Sequence, residues 1–112
     1  MVTLLVDARN VLRSVWPNMA EQDVLEASRR WAAEHGADAE VVFDGRAPTG
    51  GIGTGGESAD DWIARRAVEL AAAGKPYWLV TSDRELRERA GGAAERVIGG
   101  GSFVRELQVA ET

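Results

Sequence analysis

Four aspartates lie where a predicted strand ends or a predicted helix begins. Asp7 follows the apolar residues 4–6, Asp44 follows residues 41–43, and Asp83 comes soon after residues 79–81. Asp60 lies at the start of a helical pattern. Like-charged carboxylates held close together cost free energy unless protons or cations neutralise them. This set therefore indicates a site for a hard divalent cation such as Mg²⁺, which commonly binds substrate phosphates, and hence an enzyme that acts on phosphate esters.

The elements that would position these acids alternate between strands and helices. Apolar runs predict strands over residues 2–6, 40–43, 77–81 and, more weakly, 96–98. Helical spacing predicts helices over residues 20–35, 58–73 and 84–90, and a last helix capped by Ser102. This alternation is typical of a three-layer α/β/α sandwich with a parallel, Rossmann-like sheet. We expect the strand order 2-1-3-4, with the ligand crevice above the first and third strands.

Composition limits the class of protein. A chain of 112 residues with 45% hydrophobic content fits a single domain, which we predict to span residues 1–112. The absence of cysteine excludes disulfides, thiolate metal sites and a cysteine nucleophile. The chain begins on a strand pattern rather than a signal or membrane segment, so we expect a cytoplasmic protein. A net charge of −5 argues against strong unassisted binding to nucleic acid.

Helical phase separates two adjacent aspartates. At about 100° per residue, Asp60 shares a face with Ile63 and Leu70, the stripe expected to pack on the sheet. A carboxylate at the end of an apolar stripe needs a cation or hydrogen bonds, which favours a site function for Asp60. Asp61 lies on the flank, four residues before Arg65, where helix capping and an ion pair with that arginine are favoured.

The other candidate residues each have a structural alternative. Asp7 and Asp83 could both serve as helix N-caps. The side-chain amide of Asn10 could accept from a backbone N–H, bind a metal or fix the Asp7 carboxylate. The recurrence of acids at several strand ends favours a site function for Asp7 and Asp83, and it leaves the function of Asn10 open.

Three further features carry weaker signals. The glycine-rich segment 45–56 lacks the Gly-Lys-Ser/Thr of a phosphate-binding loop, so it is either a mobile flap beside the crevice or a plain connection. His35 falls in the last turn of a helix, where its charge suits the helix dipole. Trp16 is the tryptophan considered for base stacking, with a core position as the alternative.

Four segments together resemble the NYN-domain ribonucleases, and more narrowly the YacP-like branch of the PIN-like nuclease superfamily. They are residues 4–11, 42–44, 57–60 and 80–84. The resemblance extends from Val2 to about Leu107. It departs from the family pattern at Ala8, where glycine is usual, and between Asp44 and Glu57. That connection is shorter than usual, and we expect it to lack a strand or hairpin found in longer members.

The resemblance implies a PIN-like fold and an endoribonuclease that depends on Mg²⁺ or Mn²⁺. It places the metal-binding acids at Asp7, Asp44, Asp60 and Asp83, and the polar residue of the first motif at Asn10. Glu57 matches an acid that often precedes the helix motif. RNA, single-stranded or structured, is then the expected partner, with a ribosome or protein recruiter as a further expected partner.

Within this interpretation, catalysis depends on Asp7, Asp60, Asp83 and Asn10. Residues in the loops and first helical turns around the crevice are expected to contact the substrate. They are Arg9, Arg13, Arg46, Ser82 and Arg84.

Two other classes of protein are compatible with acids at strand ends. A phosphoacceptor signalling domain would need an acid pair after the first strand and a lysine after a late strand, and neither is present here. A catalytically weak PIN-like module that binds RNA or protein fits the acidic composition and the small size. A cleavage assay with metal and with EDTA would separate this module from an enzyme.

Overall fold

The computed structural model describes residues 1–14 and 19–110, with side chains through Leu107. The predicted stacking residue Trp16 lies outside this part of the chain. Strands and helices follow one another in the order β1 Val2–Asp7, α1 Ala8–Arg13, α2 Glu21–Glu34, β2 Ala37–Phe43, β3 Ile52–Gly53, α3 Ala59–Ala72, β4 Tyr77–Val80, α4 Arg84–Ala90, β5 Arg96–Ile98 and α5 Gly100–Ala110. None of the described helices is both long enough and apolar enough to cross a membrane.

The strands form one parallel sheet in the order β3-β2-β1-β4-β5. β1 lies in the centre, where Leu5 is paired with Glu40 of β2 on one side and with Leu79 of β4 on the other. The four predicted strands therefore have the predicted order. Because all strands run the same way, the ends of β1, β2 and β4 open onto one edge of the sheet.

Helices cover both faces of the sheet, which confirms the three-layer α/β/α prediction. On one face, Leu4 and Val6 pack in a core with Val11 of α1, Trp31 of α2 and Phe103 of α5. On the other face, the neighbouring strand residues pack against α3 and α4, as shown by the cluster of Leu5, Leu79, Ile63, Leu70 and Leu86. Successive β1 side chains thus pack into the cores on opposite faces of the sheet, as the alternation of side chains along a strand requires.

The glycine-rich segment contains a short strand that the sequence did not predict. Ile52 and Gly53 form the two-residue edge strand β3 beside Val42 and Phe43. A side chain at Gly53 would meet the backbone oxygen of Gly45 at 2.6 Å, so glycine is needed for this close approach. Backbone hydrogen bonds from Thr54 to Phe43 and from Gly55 to Gly45 hold the segment to the end of β2. The glycines predicted a loop, but in the structure they allow the close backbone approach of an edge strand.

Two helix predictions are also corrected. No helix was predicted directly after Asp7, but Ala8–Arg13 forms the short helix α1. The last helix begins at Gly100 rather than after a cap at Ser102. Ser82, far away in sequence, accepts a hydrogen bond from the Gly100 N–H and so supports a first turn made of glycines. A local sequence pattern carries no sign of such a distant partner.

Candidate active site

The four predicted acids lie around the carboxyl edge of the sheet. Asp7 is the last residue of β1, Asp44 directly follows β2, and Asp83 follows β4 at the N-cap of α4. Asp60 is the second residue of α3, the helix that packs over the ends of β1 and β2. The sequence prediction that these acids come from three strand ends and one helix start therefore agrees with the structure.

Asp7 is the buried member of the set, with 4% of its surface exposed. Its Oδ2 accepts a hydrogen bond of 3.1 Å from the hydroxyl of Thr81, which is itself fully buried. Burial raises the pKa of Asp7 above its ordinary value, and the Thr81 hydrogen bond opposes this increase. The negative charges of Asp60 and Asp44 add to the increase in pKa. Asp7 therefore lies within the electrostatic field of two other site acids.

Asp60 is less buried but experiences the same field. Partial burial raises its pKa, and the nearby charges of Asp83 and Asp44 raise it further. Arg89 acts in the opposite direction. Asp60 therefore lies within the electrostatic influence of Asp83 and Asp44.

Asp44 and Asp83 each support the start of a helix. Asp44 Oδ1 accepts from the Ala59 N–H at 2.8 Å, and Asp83 Oδ1 accepts from the Leu86 N–H at 3.0 Å. The N-cap alternative for Asp83 is thus what the structure shows. Because a carboxylate has two oxygens with several lone pairs, a capping bond leaves acceptor capacity for another ligand.

The arrangement can be compared with the needs of a divalent cation. Oxygen donors suit Mg²⁺ or Mn²⁺. Burial first, and neighbouring carboxylates second, raise the pKa values of Asp7 and Asp60, and a cation nearby would oppose both increases. However, within residues 1–14 and 19–110 no three acidic or histidine side chains lie close enough together to hold an ion as they stand. The donor set therefore fits a cation in chemistry and charge, but its side chains as they stand do not form an ion-binding group.

Asn10 adopts the first of its three predicted functions. Its Oδ1 accepts a hydrogen bond of 2.8 Å from the Ser82 backbone N–H. Ser82 Oγ in turn accepts from the Gly100 N–H at 2.8 Å. A side chain at Gly100 would collide with Asn10 Oδ1, so glycine is required where α5 approaches α1. Asn10 and Ser82 therefore join α1, the turn after β4 and α5 beside the acids.

Thr81 is a site residue that the sequence analysis missed. Its hydroxyl accepts a hydrogen bond of 3.1 Å from the Asp83 N–H while it donates to Asp7. One buried side chain thus links the acid at the end of β1 to the turn that carries Asp83. The sequence signal for Thr81 was a hydroxyl residue directly after the apolar run of β4 and two residues before an acid.

The predicted basic residues are exposed around the crevice. Arg9 Nε lies 3.5 Å from Asp44 Oδ2 in an ion pair. Arg13, Arg46 and Arg84 are also exposed, and they form no ion pair with the part of the chain that the structure describes. These guanidinium groups are therefore available to a phosphate backbone.

The predicted ion pair between Asp61 and Arg65 is wrong. Asp61 Oδ1 instead accepts from Arg89 Nη2 of α4 at 2.8 Å, while Arg65 pairs with Glu57. The packing of α3 beside α4 brings Arg89 to Asp61, and Glu57 lies just before the helix within reach of Arg65. The capping part of the prediction holds, because the Asp61 N–H donates to Ser58 Oγ at 3.1 Å.

His35 lies at the C-cap of α2. Its ring is stacked on Trp31 with centroids 3.8 Å apart, and Nδ1 is 2.7 Å from the Trp31 carbonyl oxygen. These two contacts hold the His35 ring against Trp31 at the end of its helix.

The fold is a three-layer α/β/α sandwich, and solved structures share it. The crystal structure of a tryptophan-to-leucine variant of Rae1 (YacP) from Bacillus subtilis matches with a TM-score of 0.78 at 22% sequence identity, over 99% of this chain and 77% of that chain. A second crystal structure of Rae1 (YacP) matches with a TM-score of 0.74 at 23% identity, over 99% and 76% of the two chains. The sequence matches no family profile and no curated protein. The predicted YacP-like fold is therefore confirmed by structure.

Proposed function

We propose that this protein is a metal-dependent endoribonuclease. The observation that carries the proposal is the buried Asp7 carboxylate at the end of the central strand, with Asp60 and Asp44 close enough to raise its pKa. The resemblance of the sequence to NYN-domain ribonucleases and the fold shared with Rae1 (YacP) support the same function.

In this proposal, Asp7, Asp60 and Asp83 hold one or two Mg²⁺ or Mn²⁺ ions, with Asp44 binding directly or through water. A divalent cation bound there supplies a water of lowered pKa and neutralises charge on the leaving oxygen. The Thr81 hydroxyl fixes the orientation of the Asp7 carboxylate. We expect products with 5′-phosphate and 3′-hydroxyl ends.

The other residues bind and position the strand. Arg9, Arg13, Arg46 and Arg84 are the proposed contacts to the RNA strand, and their positive charges would offset the net charge of −5 locally. Asn10 acts through Ser82, whose backbone it holds, so it is a positioning residue rather than a metal ligand. Any ribosome or protein recruiter would bind outside this crevice.

The test is cleavage of single-stranded RNA by the purified protein. We expect cleavage with Mg²⁺ or Mn²⁺ and none with EDTA, and we expect end-labelled products to carry 5′-phosphates. Strand cleavage that persists in EDTA would contradict the proposal.

A second function is favoured by one observation. The described residues contain no ready three-acid metal group, which suits a catalytically weak module that binds RNA or protein. This alternative predicts RNA binding without metal-dependent cleavage. Isothermal titration with Mn²⁺ separates the two functions, because the nuclease requires ion binding that Asp60→Asn weakens.

A further inference from the structure

A small cavity next to Asp44 also contains residues that the proposed cleavage reaction does not use. This cavity, called here the Arg9 notch, has a volume of about 100 Å³. It is lined by Arg9, Leu12, Glu21, Phe43 and Asp44. We propose that the Arg9 notch binds a guanine base of the RNA strand, an inference that rests on the proposed function for its place beside the scissile phosphate.

The position of the notch connects it to the acids. Asp44 lines the notch, and its charge also acts on Asp7 and Asp60 in the crevice. Arg9, which forms an ion pair with Asp44, also lines the notch. A strand with one phosphate among the acids would therefore bring the adjoining nucleotide to the notch.

The lining combines an apolar surface with polar groups of opposite charge. Leu12 is half-buried and Phe43 is 3% exposed, so their accessible atoms offer a small apolar surface for the face of a base. The Arg9 side chain is 64% exposed, and its ion pair with Asp44 uses Nε, which leaves the terminal nitrogens as donors. Glu21 is exposed and makes no hydrogen bond or ion pair to residues 1–14 or 19–110.

This pattern of donor and acceptor matches guanine. The N1–H and N2–H₂ groups of guanine can donate together to a carboxylate such as Glu21. The neighbouring O6 and N7 atoms accept from a guanidinium, the commonest specific contact of arginine with a base. Adenine, in contrast, offers an amino group where guanine offers O6, which would face the donors of Arg9.

The test compares guanosine 5′-monophosphate with inosine 5′-monophosphate, which lacks the exocyclic N2 amine. Each is titrated into ¹⁵N-labelled protein in EDTA and followed through backbone amide shifts. We expect shifts at Leu12, Glu21 and Asp44, and about tenfold weaker binding of the inosine nucleotide, since one charge-assisted hydrogen bond is lost. Glu21→Ala should bring the two affinities to about the same value.

Glu26→Ala is the matched control, because Glu26 is an exposed acid on the same helix that does not line the notch. It should keep the tenfold preference. Equal affinities in the wild type, or equal loss of preference in both variants, would overturn the proposal. Both outcomes are measured without metal or cleavage, so they are independent of whether the protein proves to be a nuclease.

A second arm distinguishes guanine within RNA from the free nucleotide. A uridine-rich RNA with a single guanosine should be cut next to that guanosine, and Glu21→Ala should spread the cuts along the strand. The assignment of the notch to RNA would be overturned if the wild type still cut at uridine steps, and did so at the same rate with guanosine or inosine in the strand.

Discussion

The flank of α3 and the carboxyl edge of the sheet differ in the charges that surround their ionisable side chains. On the flank, Arg66 binds both carboxylate oxygens of Glu40 at 2.9 Å, and this hydrogen bonding raises the pKa of Arg66 further above its ordinary value. At the sheet edge, Asp7 and Asp60 lie near other acids, and their pKa values rise because burial and like charges disfavour ionisation. Ion pairs on the flank of α3 favour the charged forms, whereas burial and like charges at the sheet edge disfavour them and cost stability.

The largest effect is expected from Asp7→Asn. This change keeps the size of the side chain but removes the charge that the proposed cation would neutralise. Activity should fall by at least about 100-fold, or roughly 2.7 kcal/mol of transition-state stabilisation. The measurement is the initial rate of RNA cleavage in Mn²⁺, and unchanged cleavage by purified Asp7→Asn would remove the crevice from the mechanism.

Asp60→Asn should lose most metal-dependent cleavage and yet be more stable than the wild type without metal. The raised pKa of Asp60 means that the folded state binds the carboxyl proton more tightly than the unfolded state does. Protonated Asp60 therefore stabilises the fold, and this contribution is complete below the ordinary pKa of 3.8. That contribution is lost as the pH rises through the raised value. The excess stability of Asp60→Asn should therefore be present at neutral pH and shrink on acidification through this window.

Melting curves in EDTA and in Mn²⁺ at constant ionic strength provide the measurement, since general salt screening also relieves repulsion. Mn²⁺ should raise the melting temperature of the wild type more than that of Asp60→Asn, because a ligand bound by the folded state stabilises it by mass action. Equal shifts in both proteins would show that Asp60 does not contribute to an ion site.

Ser28→Ala tests whether an unpaired polar group outside the crevice behaves differently from the acids within it. Ser28 in α2 is fully buried, and its hydroxyl has no hydrogen-bond partner among the described residues. Replacing it with alanine should stabilise the fold by about 1 kcal/mol, because the unsatisfied hydroxyl is removed and alanine favours the helix. Chemical denaturation measures this gain, and cleavage should remain at the wild-type rate. A loss of activity would show that unpaired polar groups outside the crevice also serve function.

The smallest effect is expected from Asp61→Asn, next to Asp60 in sequence. Asp61 is fully exposed, and its hydrogen bond to Arg89 lowers its pKa. Its contribution is therefore screened by solvent, and the melting temperature should fall by no more than about 2 °C. Activity should be retained, so a cleavage defect as large as that of Asp60→Asn would place the wrong aspartate in the crevice.

Local patterns in the sequence predicted the features that depend on neighbouring residues. The apolar runs identified the four longer strands, and helical phase separated Asp60 from Asp61. The alternation of strands and helices, together with the family resemblance, predicted the sheet order. These features follow from periodicity, which is visible within a short window of sequence.

The connections that hold the acids in place could not be predicted in this way. Thr81 and Asp7 are 74 positions apart, and Asn10 and Ser82 are 72 apart. The partner of Asp61 is 28 positions away on another helix, while the predicted partner was only one turn away. Which of several polar residues meet at such distances depends on the packed positions of whole elements, and no local propensity records it.

The Thr81 hydroxyl has a consequence for where Asp7 can carry a proton. Thr81 Oγ1 already accepts from the Asp83 N–H, and within the described residues its own hydrogen has Asp7 Oδ2 as its acceptor. A hydroxyl that donates to Oδ2 keeps that oxygen an acceptor, so a proton taken up by Asp7 belongs on Oδ1. A single buried hydroxyl thus makes two chemically equal oxygens unequal.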